Sequence, residues 1–291
     1  MTHPIIRLLR PHQYVKNGFV LLGPIFAVRW DNATLAAALI VFLAFCAAAS
    51  AVYVFNDLTD IDADRAHPRK CNRPLASGET RIATGWRLTV ALTLAALIAA
   101  TAVSLWAGAL VGAYIAMNVG YSLRWKHIVV VDVFLISTGF MLRILAGTQG
   151  LGIAPSPWLL LCGLMLTLFL GFAKRRAELL MLEDSEVRDT SLTRRVLDDY
   201  NPAMIEQFMA ITAACTILSY SLYTVSGDTI SRHDTSALIY TVPFVVYGVF
   251  RYIFLLHRHG HGDDTASTLT SDPHLLITVA AWIGVTVFVL A

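Results

Sequence analysis

Charge and cysteine are both scarce in this sequence, and several familiar motifs are missing. Only 14% of the 291 residues are Asp, Glu, Lys or Arg, whereas an ordinary soluble domain carries about 25%. The four cysteines form no CxxC pair, which excludes a disulfide framework. A net charge of only +2 gives no reason to expect nucleic acid as a partner. The sequence has no Walker loop, GxGxxG, HExxH or nucleophile elbow, so the chemistry of those motifs is not indicated.

Long apolar runs are what the sequence has in abundance. Hydrophobic residues make up 56% of the chain, and the mean hydropathy is +0.63. We therefore predict an all-α, polytopic membrane protein built as a single domain over residues 1–291. The first and fourth apolar runs are shorter than the roughly 20 residues that cross a bilayer, and Gly23-Pro24 interrupts the first. About nine spans are predicted, at residues 18–29, 33–55, 86–105, 107–122, 128–147, 157–173, 203–224, 236–256 and 274–291.

Lysine and arginine concentrate on one side of this layout. With the N-terminus in the cytoplasm, most of the 22 basic residues fall in inner segments, whereas the outer segments carry only Arg29 and Arg232. Cytoplasmic loops of membrane proteins carry this excess of positive charge. The bias supports nine spans with the C-terminus outside, and it places the chemistry on the cytoplasmic face.

The charged segment after the second span is the strongest candidate site. Asp57, Asp60 and Asp64, which we call the acidic ladder, fall at i, i+3 and i+7. If the helix continues through them, they share one face, with Asn56 joining through its i+4 relation to Asp60 and Asp62 pointing elsewhere. Like charges at this spacing repel, so a positive group should lie between them. Mg²⁺, which takes carboxylates together with substrate phosphates, is the expected cation. A solvated, charge-balanced loop is the alternative interpretation.

Basic residues follow the acidic ladder and recur in later inner segments. Arginine and lysine bind phosphate oxygens through charge-assisted hydrogen bonds. We expect these bases to hold the phosphate oxygens that the metal does not reach. They are Arg65, Arg69, Lys70 and Arg73. Lys126, after the fourth span, and Lys174 and Arg175, after the sixth span, are also typical of the interfacial and topology-determining bases at cytoplasmic helix ends.

Two ionisable residues lie within the predicted fifth span. Asp132 and Arg143 are eleven residues apart, close to three helical turns, and so share a face. Ionisable groups at membrane depth usually line a cavity, although an ion pair with another helix is the competing explanation for Arg143. Together with Arg251 they are also consistent with a transporter. No clear internal repeat favours that alternative, and the charged residues gather at one membrane face instead of the midplane.

Several segments, taken together, resemble the UbiA-type intramembrane prenyltransferases. The pattern Asn56-Asp57-x-x-Asp60-x-x-x-Asp64 matches the first aspartate-rich motif of that family. The resemblance continues to Arg251-Tyr252 and so covers nearly the whole chain. The segments that resemble the branch acting on phosphoribose and polyprenyl phosphates are Arg10 to Asn17, Asp64 to Gly78, Tyr121-Ser122 to Asp132, and Lys174-Arg175-Arg176-Ala177-Glu178-Leu179.

The resemblance implies a fold, a reaction and a location. The fold has nine helices around a central cavity, with a cytoplasmic cap of loops and short helices. The reaction transfers 5-phosphoribose from phosphoribosyl pyrophosphate (PRPP) to a decaprenyl or other polyprenyl phosphate and releases pyrophosphate. It serves the synthesis of arabinose donors for the cell envelope. The implied cofactor is Mg²⁺. The implied setting is the bacterial plasma membrane, with the N-terminus and active site cytoplasmic and a homo-oligomer such as a trimer.

Residue by residue, the resemblance gives the acidic ladder the catalytic and metal-binding roles, with Asn56 as a further metal ligand. Lys16, at the mouth of the first span, is the candidate for the lipid phosphate. The full set expected to bind substrate is Lys16, Arg65, Lys70, Arg73, Tyr121, Lys126, Asp132, Lys174, Arg175 and Glu178.

The sequence departs from the aromatic prenyltransferases of the family in one place. Those enzymes carry a second aspartate-rich motif after the sixth span, where this chain has Lys174-Arg175-Arg176-Ala177-Glu178. Extra bases suit a donor and acceptor that bring three anionic groups between them. Transfer of an isoprenyl group from a diphosphate to an aromatic acceptor remains the alternative within the family.

Overall fold

The computed structural model describes residues 3–66, 70–184, 200–259 and 271–290, and every regular element in these ranges is helical. Five short segments are 3₁₀-helical: Pro11–Leu21, Lys70–Asn72, Trp125–His127, Gln149–Leu151 and Ala237–Thr241. The α-helices are α1 (Pro4–Leu9), α2 (Leu22–Phe26), α3 (Asn32–Thr59), α4 (Ile61–Ala66), α5 (Ile82–Val103), α6 (Leu105–Leu123), α7 (Val131–Gly147), α8 (Pro157–Asp184), α9 (Pro202–Val225), α10 (Gly227–His233), α11 (Val242–His259) and α12 (Pro273–Leu290).

Seven helical segments of the described chain are long and apolar enough to cross a membrane. They coincide with the second, third and fifth to ninth predicted spans, and they confirm the all-α, polytopic class. At the fourth predicted span, α6 is continuous over 19 residues. The first predicted span is not one helix, because the 3₁₀ segment Pro11–Leu21 leads into a five-residue α2 that contains Pro24. Proline has no N–H to donate and so weakens a helix at this point. The count of nine stays a prediction.

The contacts within the chain group into two compact units, which divide between Ala154 and Pro155. In the first unit, α3 packs against α5 and α6, and α7 packs against α6 and the Pro11–Leu21 segment. Alanine dominates the buried core of this unit, where Ala48, Ala96 and Ala100 have no exposed surface. Small side chains let helices approach closely, which is how helices pack in a bilayer.

Two glycines allow direct backbone contact in the first unit. A Cβ atom built on Gly147, the last residue of α7, would lie 1.8 Å from the Val20 carbonyl oxygen. A Cβ atom on Gly23 would lie 2.0 Å from the Gly147 carbonyl oxygen. No larger residue fits at either position without moving the backbone. These two glycines therefore let the backbone of the N-terminal segment pack directly against the backbone of α7.

The second unit is held by helix packing and by polar bridges between helices. α8 packs along α9, and Arg176 of α8 donates to Glu206 of α9 at 2.9 Å. At the start of α12, Asp272 accepts from the Leu275 N–H at 2.9 Å and from Arg251 Nη2 at 2.8 Å. Asp272 is therefore both the N-terminal cap of α12 and its ion pair to α11.

Candidate active site

The acidic ladder lies where α3 passes into α4. α3 ends at Thr59, and Asp60 has φ −103° and ψ 11°, which interrupts the regular helix. Helical hydrogen bonds nevertheless continue across the break. The Asp60 N–H donates to the Asn56 carbonyl at 3.0 Å, and the Asp64 N–H donates to the Asp60 carbonyl at 2.7 Å. The three carboxylates therefore stay within one short stretch at the end of a spanning helix.

Asp57 and Asp64 are buried and share one cation. Their side chains are only 2% and 4% exposed. Arg73 Nη1 donates to Asp57 Oδ1 at 3.0 Å and to Asp64 Oδ2 at 2.7 Å. Arg10 Nη2 donates to the same Asp57 oxygen at 2.6 Å. The positive group expected between the acids is present, and in this arrangement it is the guanidinium of Arg73.

Asp60 binds a different cation. Lys126 Nζ lies 3.0 Å from Asp60 Oδ1 and 3.3 Å from Oδ2. Lys126 belongs to the 3₁₀ turn between α6 and α7, and its side chain is 14% exposed. The ladder is therefore divided into two cation positions, one between Asp57 and Asp64 and one at Asp60.

An apolar layer supports this cluster of charges. It brings together α1, α3, α4 and the loop before α5, through Leu8, Val54, Leu58, Ile61 and Leu75. Each of these side chains is at most 9% exposed. Charge-assisted hydrogen bonds are stronger beside such a layer than in open water, because the local dielectric constant is lower.

The N-terminal segment brings Arg10 to the acids. Arg10 separates α1 from the 3₁₀ segment and has φ 52°, a strained value for a residue other than glycine. Its guanidinium lies over the ring of Tyr53, 5.0 Å from the centroid. Tyr14 bonds to Ser50 Oγ at 2.9 Å, which ties the same segment to α3.

A second arginine of the N-terminal segment holds the loop that carries Arg73. Arg7 Nη2 donates to the Asn72 carbonyl at 2.5 Å, and Arg7 Nη1 lies 2.8 Å from Glu79 Oε2. The backbone of Asn72, the residue before Arg73, is therefore held by a hydrogen bond from Arg7. These contacts explain how a loop residue is held between two buried carboxylates.

Other residues expected in the site lie elsewhere in the first unit. The Arg65 guanidinium donates to the Ala76 carbonyl and to Asp62, at 3.3 and 3.4 Å, and so is turned away from the acidic ladder. Asp62 is 97% exposed, in agreement with its expected orientation. Asn56 is half-buried. Lys16, Lys70 and Tyr121 are half-buried, Asp132 has no exposed surface, and Arg69 lies outside the described residues.

Three of the expected substrate-binding residues belong to the second unit. Lys174, Arg175 and Glu178 all lie on α8. Arg175 has no exposed surface and forms an ion pair with Glu178, one turn further along the helix. The i, i+3 spacing on one helix face accounts for this pair.

Arg10 is the main site residue that sequence reasoning did not select. Its 47-residue separation from Asp57 hides the contact from any local spacing rule. The available signal was its place in the Arg10 to Asn17 segment that resembles the family. In the part of the chain that the structure describes, Arg10, Arg73 and Lys126 are the bases that contact the acidic ladder.

Arg143 is explained by polar and aromatic partners in the first unit. Its guanidinium donates to Asn17 Oδ1 at 2.7 Å, the Gly139 carbonyl at 2.7 Å and Tyr114 Oη at 3.1 Å. It also lies 4.5 Å from the centroid of the Tyr114 ring. Arg251 in turn pairs with Asp272. Arg143 and Arg251, which are also consistent with a transporter, are thus both engaged in contacts between helical segments.

The donor set at the ladder fits a divalent metal ion. Carboxylate oxygens are hard ligands of the kind that Mg²⁺ takes. Oxygens of Asp57 and Asp64 already converge on a single cationic nitrogen, within 3.0 Å. Among the described residues, no group of three or more His, Cys, Asp or Glu side chains is placed to hold a metal ion. Two carboxylates therefore form the candidate metal position, with Asp60 beside it.

Comparison with known proteins connects this arrangement to one family. The UbiA prenyltransferase family matches residues 18–289. The decaprenyl-phosphate phosphoribosyltransferase of Corynebacterium glutamicum is 35% identical over an alignment of 290 positions, which covers 96% of this chain and 84% of that protein. The protein of the same name from Mycolicibacterium smegmatis is 32% identical over 96% of this chain and 90% of its own length.

Solved structures agree with the family at the level of the fold. A UbiA homolog from Archaeoglobus fulgidus bound to GPP and Mg²⁺ matches with a TM-score of 0.74 over 99% of both chains, at 19% identity. A UbiA homolog from Aeropyrum pernix matches with a TM-score of 0.68 over 99% of both chains, at 15% identity. The family match, the identity to these relatives and the shared fold agree, and the chain belongs to the UbiA prenyltransferase family.

Proposed function

We propose that this chain transfers 5-phosphoribose from PRPP to the phosphate of a polyprenyl lipid and releases pyrophosphate. One observation carries the proposal: relatives 31–35% identical over most of the chain are named decaprenyl-phosphate phosphoribosyltransferase. The cluster of acids and bases at the end of α3 supports it. Three cations contact the acidic ladder, so bases for a strongly anionic donor are at hand.

General acid–base catalysis contributes little to this reaction. The bond between the anomeric carbon and the pyrophosphate oxygen breaks, and its electron pair leaves with pyrophosphate. An oxygen of the lipid phosphate forms the new bond to the same carbon. Because that oxygen is already anionic, no strong general base is required. The main demand on the protein is to position two anions and stabilise the departing charge.

The acidic ladder and its bases meet this demand in different ways. Asp57 and Asp64, with Asn56 and Asp60 as further oxygen ligands, would hold Mg²⁺, which neutralises charge on the departing pyrophosphate. Arg73 and Lys126 would bind the oxygens of the diphosphate. Arg10, fixed over Tyr53, would remain beside Asp57 and keep its carboxylate oriented.

The remaining expected residues complete the proposal. Lys16 would bind the lipid phosphate. It directly precedes Asn17, which is packed among the spanning helices, and so it lies where the chain enters the helical bundle. Lys174 and Arg175 of α8 are also proposed to bind substrate phosphates. The other proposed substrate-binding residues are Arg65, Lys70, Tyr121, Asp132 and Glu178.

The setting of the reaction is also proposed. The excess of basic residues in the inner segments supports an N-terminus and a site on the cytoplasmic side. The bacterial plasma membrane is the location that the family resemblance implies. The product would then enter the synthesis of arabinose donors for the cell envelope. A homo-oligomer such as a trimer belongs to the same proposal.

A second function is favoured by one specific observation. The solved UbiA homolog with a TM-score of 0.74 is bound to GPP and Mg²⁺. By analogy, this chain would transfer an isoprenyl group from a diphosphate to an aromatic acceptor. The two functions share a diphosphate leaving group and a metal at the acidic ladder, and they differ in the transferred group and in the acceptor.

A single experiment separates the two functions. The full chain is purified in detergent and incubated with Mg²⁺, labelled PRPP and polyprenyl phosphate, and the label is followed into organic solvent. A parallel reaction contains labelled geranyl diphosphate and a phenolic acceptor. We expect label in the lipid fraction from PRPP alone. Transfer only from geranyl diphosphate would overturn the phosphoribosyl assignment.

A further inference from the structure

Among the described residues, each carboxylate of the acidic ladder contacts at least one basic side chain. Asp57 is contacted by Arg10 and Arg73, Asp64 by Arg73, and Asp60 by Lys126. Three carboxylates and three bases make the described cluster close to neutral. A neutral cluster has no net attraction for an additional cation, so a metal ion gains little by entering while all three bases stay in place.

The geometry makes the competition direct for Arg73. Asp57 Oδ1 and Asp64 Oδ2 both lie within 3.0 Å of Arg73 Nη1, and both side chains are at most 4% exposed. A magnesium ion binds oxygen ligands at about 2.0–2.1 Å. An ion held by the same two oxygens would therefore lie almost where the nitrogen lies. A metal ion and the Arg73 nitrogen cannot share that position, because they would overlap and their like charges would repel.

Lys126 would compete with a metal ion for Asp60 in the same way, although its contact with the carboxylate is longer and more exposed. Its ammonium group contacts both oxygens of the carboxylate at 3.0 and 3.3 Å, and the Asp60 side chain is 28% exposed. Arg10 differs from these two bases. It contacts Asp57 from the side of Tyr53, and it has no contact with Asp64.

We propose that Arg73 and Lys126 compete with a divalent metal ion for the acidic ladder, and that displacement by the metal frees both side chains for the phosphates of the donor. The proposal rests on the proposed function only for the identity of that donor. Metal alone adds positive charge to a neutral cluster, and diphosphate alone adds negative charge. When the two bind together their charges largely cancel, so each favours the binding of the other.

A substitution in a metal site usually weakens metal binding, whereas here the proposal predicts that it strengthens metal binding. Removing Arg73 or Lys126 removes a competitor of the metal, so metal alone should bind more tightly. Coupling between sites of this kind typically amounts to about 5- to 150-fold in affinity. A purely structural role for either base predicts the opposite, because a disordered ladder would bind metal more weakly.

The test measures Mn²⁺ binding by electron paramagnetic resonance on the full chain in detergent, with no phosphate present. We expect the Kd of Arg73→Met for Mn²⁺ to be about tenfold or more below that of the unsubstituted protein. Adding Asp57→Asn to Arg73→Met should abolish the gain. Arg29→Met is the matched control, because Arg29 is 58% exposed and pairs with Asp31 outside the site. Its Kd should be unchanged.

A second variant tests the proposal independently in case Arg73→Met does not fold. Lys126→Met acts on Asp60 and not on the Arg73 loop, and we expect a gain of at least fivefold. The proposal is overturned if neither variant binds Mn²⁺ more tightly than the unsubstituted protein, or if Arg29→Met shows the same gain. Labelled transfer from PRPP is a separate measurement. A protein that transfers only isoprenyl groups but shows the gain would refute the proposed function and leave this inference intact.

Discussion

Replacing Gly147 by alanine should separate the N-terminal segment from α7. The added Cβ atom would start 1.8 Å from the Val20 carbonyl oxygen, 2.6 Å from its carbon and 2.9 Å from the Val20 Cα. All three are backbone atoms, so no side-chain rotation relieves the clash. The Pro11–Leu21 segment would have to move by more than about 1 Å, because Cβ contacts below 3.0 Å are essentially never observed.

The cost follows from this geometry. Overpacking a core typically costs about 1–3 kcal/mol, and we expect the upper end or more because backbone opposes backbone. Gly112 of α6 provides the matched control, since a Cβ atom there meets only a Leu97 methyl group at 3.7 Å. Gly112→Ala should be neutral or stabilising by up to about 1 kcal/mol, because glycine is a poor helix former. The two substitutions should differ by about 3–4 kcal/mol.

The assay is the fraction of folded protein that survives heating in detergent, measured by size-exclusion chromatography. We expect the Tm of Gly147→Ala to fall by on the order of 10 °C. Transfer activity should fall as well, because the displaced segment carries Arg10 at its other end. If Gly147→Ala and Gly112→Ala have the same Tm, close backbone packing does not hold this segment and the reasoning is refuted.

Three further predictions test other contacts. Lys126→Met should raise the KM for PRPP by about 10- to 100-fold, because it removes a charged donor beside Asp60; an unchanged KM would remove Lys126 from the donor site. Arg143→Met should lower stability by about 2 kcal/mol with no change in that KM, because two of its three hydrogen bonds, those to Asn17 and Tyr114, join different helical segments; a raised KM would contradict this. The hydrogen bond from Arg251 holds the pKa of Asp272 below its usual value of 3.8. Unfolding at pH near 3.8 therefore takes up protons, so the protein becomes less stable as the pH is lowered through this range. The Tm difference between the unsubstituted protein and Asp272→Asn should shrink as the pH falls below 3.8; a difference that does not shrink at all on acidification would exclude this role.

The spanning helices were predictable from the sequence because apolar length is a local property. Predicted spans such as 33–55 and 203–224 correspond to α3 (Asn32–Thr59) and α9 (Pro202–Val225), which extend a few residues further. The interruption expected in the first predicted span is present, because a 3₁₀ segment leads there into the short α2 that contains Gly23-Pro24. What hydropathy does not report is that the same glycine is needed for contact with the Gly147 backbone.

The candidate site was predictable in its acids and less so in their partners. Helical spacing placed Asp57 and Asp64 together, and it correctly turned Asp62 outward. The partners depend on contacts between distant segments. Arg10 and Lys126 are 47 and 66 residues from the carboxylates they contact, and no periodicity connects such positions. Spacing required a positive group between the acids, but it did not distinguish a metal ion from the Arg73 side chain.

The central claim is that Asp57, with its neighbours, holds the metal ion that stabilises the departing pyrophosphate. The most direct measurement is the rate of phosphoribosyl transfer by Asp57→Asn, compared with Asp62→Asn, whose side chain is 97% exposed on the same segment. We predict that Asp57→Asn remains folded and loses about 10²- to 10³-fold in rate, while Asp62→Asn keeps its activity. A folded Asp57→Asn protein with undiminished transfer, or an equal loss in Asp62→Asn, would contradict the account.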